Sequence, residues 1–177
     1  MNPAPQSQPD LTSFGYGFVG VLIFSLTLPA TRIALSGFDP VFVGLGRAIV
    51  AAGLSLILLV ITRQTIPAAK FFPNFAIVAG GVVIGFPLLS AIAMKDAAAS
   101  HGAVITGLLP LSTALCGVWR AGERPSLGFW VFAGLGSALV IGFALLTGGG
   151  SMRMADLALI GAVAAAGLGY AEGAVLS

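Results

Sequence analysis

The sequence predicts an all-α fold: a polytopic transmembrane helix bundle of about six membrane helices with a cytoplasmic N-terminus. Three observations predict it. First, 58% of the 177 residues are hydrophobic and only 8% are charged, with a mean hydropathy of +1.05, whereas a soluble domain carries roughly 25% charged residues. So little charge cannot cover a water-facing surface. Second, residues 11–31, 71–94, 97–119 and 125–152 contain no Asp, Glu, Lys or Arg, and each run reaches the ~20 residues that cross a ~30 Å hydrocarbon core as a helix. Third, residues 40–61 and 154–177 are equally apolar, and past their flanks they carry one ionisable group each, Arg47 and Glu172. The runs are long and continuous, unlike membrane strands, which alternate over ~10 residues.

Taken in order, residues 1–13 open with MNPAPQSQPD and are expected to form a disordered cytoplasmic tail. They hold no Lys or Arg, so the first apolar run lacks the basic start of a secretory signal and is expected to be retained. Residues 14–147 are expected to form five helices joined by the short connections 36–39, 62–70, 95–100 and 120–123. Residues 148–177 are read as a connection, 148–153, and a sixth helix. Such connections leave no room for a soluble domain.

Orientation follows from the Lys and Arg of the short loops. A cytoplasmic N-terminus places Arg63, Lys70, Arg120 and Arg124 inside and Lys95 and Arg153 outside. Trp119 and Trp130 bracket the 120–123 turn, as amphipathic rings do at a headgroup boundary.

Glycine supplies 25 residues, and in lipid small residues let helices associate by close backbone approach. Gly81 and Gly85 form a GxxxG, and Gly134, Ala138 and Gly142 repeat a small residue along one face. Pro29, Pro87 and Pro110 fall inside spans, where each removes a backbone bond and bends its helix. Two readings stand open at Pro110: a packing kink whose freed backbone is satisfied by Ser112 and Thr113, or a hinge in a cavity wall that also includes Thr106.

Arg32 and Arg47 are the costliest residues, at roughly 2.5–3.5 kcal/mol each at a bilayer centre. At ~1.5 Å per residue, Arg32 lies about 27 Å from Phe14, and Arg47 about 10 Å from Pro40. Either they snorkel outward, one pairing with Asp39, or they line the outer half of a central cavity and favour an anionic or zwitterionic substrate. Glu172 lies about 24 Å along the sixth helix from Asp156, at an interface or in a proton-coupling position. Asp156 and Glu123 are expected to be solvated loop charges, and His101 interfacial.

No catalytic, metal or cofactor site is expected. The single Cys116 and single His101 supply no metal set and no internal disulfide. GxSxG and HExxH are missing. The net charge of +2 offers no basic stripe for nucleic acid.

These residues resemble the EamA-type branch of the drug/metabolite transporter superfamily. The resemblance rests on FSLTLPATRIAL, on FDPVFVGLGRAIVAAGLSLILL with Arg47, and above all on the block from AAASHGAVITGLLPLSTALCGVW through RAGERPSLGFWVFAGLGSALVIGFALL. It implies a first five-helix repeat followed by the start of a second, since MADLALIGAVAAAGLGYAEGAVLS resembles the opening helix of the family's second repeat. Members carry two inverted repeats with a substrate cavity between them. The resemblance therefore implies an ion-coupled exporter of small metabolites such as amino acids or drugs in a bacterial cytoplasmic membrane. Its partners would be the lipid bilayer, a small-molecule substrate, and either a missing second repeat, the chain then being a fragment of a ten-helix carrier, or a second copy. The competing readings are a non-transporting membrane scaffold, whose glycine faces serve assembly alone, and a lipid-handling enzyme, which the missing motifs disfavour.

Overall fold

The computed structural model describes residues 11–147 and 153–176. Among them, α1 (Leu11–Ser25) and α2 (Thr27–Ala34) form the first span, and α3 (Pro40–Ile61) the second. A 3-10 turn (Ala69–Phe71), α4 (Phe72–Val78), a π-helical segment (Ala79–Gly85) and α5 (Phe86–Asp96) form the third. The fourth joins α6 (Ala99–Thr106) to α7 (Leu109–Ala121), the fifth is α8 (Leu127–Thr147), and the sixth is α9 (Met154–Leu176). No strand occurs among the described residues. All six spans are long and apolar enough to cross a membrane. Of the expected tail, residues 1–10 lie outside the described residues, whereas residues 11–13 already belong to α1. Residues 148–152 of the last connection also lie outside them.

Proline decides which spans are straight. Spans two, five and six have no proline beyond their first residue and run as single helices of 22, 21 and 23 residues. Each interior proline follows a break in its span, because its ring denies a hydrogen bond to the carbonyl four residues back and crowds it. Ahead of Pro29 the helix loosens at Leu26, whose N–H donates to Ile23 O at 3.3 Å. Ahead of Pro87 the third span widens into the π-helical segment, a known way of absorbing such a mismatch. Ahead of Pro110 the chain turns at Gly107 and Leu108 before α7 begins.

The ends are set by local chemistry. Asp39 caps α3, its Oδ1 accepting from Val41 N–H at 2.8 Å with Pro40 next in line. Gly122 closes α7 at φ +67°, a left-handed conformation that glycine adopts without penalty.

The core gathers around α9. Leu159 and Ala162 are fully buried, and Ala166 nearly so, and α9 packs on α4, the π-helical segment, α5, α6 and α7. Glycine makes this closeness possible. A methyl added at Gly81 would stand 2.2 Å from Ala165 O, and one at Gly167 would stand 2.3 Å from Ser112 Oγ. The expected GxxxG face of span three is thus used against span six. The other expected face is not: methyls added at Gly134 or Gly142 would meet nothing within 4 Å. Span five instead turns Phe132, Leu139 and Leu146 outward, at 75%, 76% and 85% exposure, as a helix does when its surroundings are lipid.

Candidate functional site

Polar groups inside the spans collect in three places. The first lies between spans one, two and three, at the end of the bundle that carries residues 35–39. Arg32 donates through Nη1 to Met94 O and, at 2.8 Å, to Lys95 O. These carbonyls lie in the last turn of α5, where no intrahelical donor remains, so Arg32 caps span three from span one. Arg32, Ser36, Asp39 and Lys95 line a cleft of about 410 Å³. His101 contacts Asp156 and Arg120 pairs with Glu172; Arg32 and Asp39 take part in neither contact. Arg47 is half-buried and donates from Nη1 to Thr31 Oγ1 at 3.3 Å and from Nη2 to Ser90 Oγ at 3.4 Å.

The second place joins spans four and six at the same end. Asp156 is buried at 6% exposure, correcting the expectation of a solvated loop charge. Its Oδ1 meets His101 Nε2 at 2.6 Å, and its Oδ2 accepts from Arg153 N–H at 2.9 Å. The physical reason is position: a carboxylate in the first turn of a helix complements the positive end of the dipole, and the histidine completes its hydrogen bonding. His101 is thereby drawn into the helix contact rather than left at the surface.

The third lies at the opposite end. Glu172 is fully buried; it accepts from Arg120 Nε at 2.7 Å on Oε2 and from Asn74 Nδ2 on Oε1. Its depth along α9 is as expected, but protein rather than water surrounds it. Three spans meet at this one carboxylate. A groove of about 720 Å³ opens beside it, lined among others by Pro110, Thr113, Glu123, Arg124 and Tyr170.

The residues singled out from sequence therefore do not share one concave surface. Arg32 and Arg47 belong to spans one to three, whereas Pro110 and Thr113 face the groove at the other end. Ser112 points away from that groove and donates to Val163 O of span six at 3.2 Å, so it satisfies a neighbouring helix rather than its own broken one. Thr106 donates to Ala103 O at 2.9 Å within α6. Sequence reasoning passed over Thr31, Asn74 and Ser90. A usable signal was present, because Asn74 and Ser90 are the only polar side chains in residues 71–94, and each meets a charged side chain from another span. No group of three or more His, Cys, Asp or Glu among the described residues is placed to hold a metal ion.

Residues 12–148 match the EamA-like transporter family. The chain belongs to this family. The matched region takes in spans one to five. The uncharacterized transporter YdeK of Bacillus subtilis (strain 168) is 53% identical over 161 residues, covering 91% of this chain and 56% of the relative. The chain thus spans little more than half the length of that curated relative. No solved structure matches it. An EamA-like chain with six apolar spans is a multi-pass membrane protein of a transporter family, and the polar groups between its helices are to be read in that light.

Proposed function

We propose that this chain forms part of an ion-coupled exporter of small metabolites, such as amino acids or drugs, in a bacterial cytoplasmic membrane. Its N-terminus faces the cytoplasm in this reading. The supporting observation is that charged side chains lie between helices of a bundle in which three spans are interrupted at prolines. Intramembrane charge is expensive and marks functional pathways, and a scaffold needs neither the charge nor the breaks. Arg32 and Arg47 flank the substrate path at one end, and Pro110 and Thr113 at the other. Ser112 ties the broken fourth span to span six, and Thr106 bonds within the last turn of α6. A second repeat, or a second copy of the chain, supplies the facing wall.

Glu172 takes the coupling ion. As a carboxylate it holds Arg120 and Asn74 and so ties span six to spans three and four. Protonation cancels the attraction to Arg120 and frees span six to shift. The test is flux into proteoliposomes preloaded with a panel of amino acids, with and without an imposed pH gradient. Gradient-driven accumulation is expected of the wild type. Glu172→Gln is expected to keep exchange across equal pH and to lose the response to the gradient. An unaltered response in Glu172→Gln would remove the coupling role. No flux of any substrate from a stable oligomer would favour a scaffold.

A further inference from the structure

We propose that Arg47 anchors a binding site for a single carboxylate group between spans one, two and three, and that Thr31 and Ser90 position its guanidinium. The inference rests on the carrier reading above and narrows its cargo. Among the described residues Arg47 hydrogen-bonds to two hydroxyls, and both have already placed their protons: Thr31 Oγ1 donates to Thr27 O at 2.7 Å, and Ser90 Oγ to Pro87 O at 3.1 Å. Each hydroxyl can therefore accept from Arg47, which aims the guanidinium fork, but neither brings negative charge. Thr31 is 4% exposed and Ser90 fully buried, so both are held by packing in that role.

Arg47 takes part in neither of the acid–base contacts, His101–Asp156 and Arg120–Glu172. A guanidinium has five N–H donors, and the hydroxyls engage two of its nitrogens at long range. Arg32 differs, because a single nitrogen of its guanidinium, Nη1, is turned onto two backbone carbonyls that require a donor. What remains at Arg47 is a fixed cation in a low-dielectric setting with donors to spare, and the group that matches it is a planar oxyanion bound through two parallel hydrogen bonds. A monoanion neutralises one arginine. A dianion such as phosphate would leave net negative charge among the helices, which the bilayer interior penalises.

The cleft lined by Arg32, Ser36, Asp39 and Lys95 lies toward the same end on all three helices. Arg32 follows Thr31 directly, Asp39 precedes Arg47 by about two turns, and Lys95 follows Ser90 by a little over one. Lys95 draws a carboxylate toward the cleft, while Asp39 repels a second negative charge and tolerates an ammonium group. The cargo class is a small monocarboxylate, the zwitterionic amino acids included.

The test is calorimetric titration of the chain in lipid nanodiscs with L-leucine, with isocaproate, which lacks the ammonium group, and with leucinamide, which lacks the carboxylate. Leucine and isocaproate are expected to bind and leucinamide not to. Arg47→Lys keeps the charge but loses the fork and is expected to weaken binding at least about tenfold. Thr31→Val and Ser90→Ala are expected to weaken it as well, with Thr31→Ser restoring it, which a merely structural threonine would not require. Melting profiles establish that each variant is folded. The proposal is overturned if leucinamide binds as leucine does, if Arg47→Lys binds undiminished, or if none of the three binds. Flux that shows no preference for carboxylates overturns this site alone, whereas absence of both flux and binding removes the carrier reading too.

Discussion

Arg120→Ala is expected to lower the thermal midpoint of the purified protein further than any single exchange on a lipid-facing helix. Glu172 has no contact with solvent and accepts from only Arg120 and Asn74. Removing the arginine strands a carboxylate between three helices, and an uncompensated buried charge destabilises far more than the intact pair stabilises. The double variant Arg120→Met with Glu172→Gln removes the charge altogether and is expected to recover most of the loss, with the amide still accepting from Asn74. Melting curves of wild type, single and double variants in one detergent decide it. Equal midpoints for the single and double variants would mean that the pair does not hold span six.

Gly81→Val is expected to cost about 1–3 kcal/mol or more as overpacking, and Gly134→Val close to nothing. A Cβ at Gly81 would lie 2.2 Å from Ala165 O and 3.2 Å from Gly169 N. Both obstacles are backbone of α9, which cannot rotate aside as a side chain can, so spans three and six must separate. At Gly134 the same atom meets nothing within 4 Å. Denaturation of the two variants in parallel measures the difference, and comparable losses would contradict the packing described for α9.

The same two glycines mark what can be read from the sequence. Hydropathy determines which segments leave water, so the second span begins and ends where the apolar run does, and the interior prolines announce the broken spans. Which faces meet is a long-range matter on which hydropathy is silent, because lipid tails solvate an unpaired helix face as well as another helix does. Gly81–Gly85 and Gly134–Ala138–Gly142 are therefore alike in sequence, yet only the first supports a contact. Asp156 and Glu172 illustrate the same limit for charge. The depth of Glu172 along α9 was readable, whereas the partners of both carboxylates, 55 and 52 residues away in His101 and Arg120, are set by tertiary packing. Lone polar residues in apolar runs were the clue available at Asn74 and Ser90.

Six spans that alternate across a bilayer carry the charges of Arg47, Asp156 and Glu172 between them. Single cysteines at Gly37, Gln64, Ala98 and Arg124, in a Cys116→Ser background, can be probed in intact cells with a membrane-impermeant maleimide. Positions 37 and 98 are expected to react from outside, and positions 64 and 124 only after the membrane is permeabilised. Labelling of all four from one face would contradict the six crossings and the carrier reading built on them.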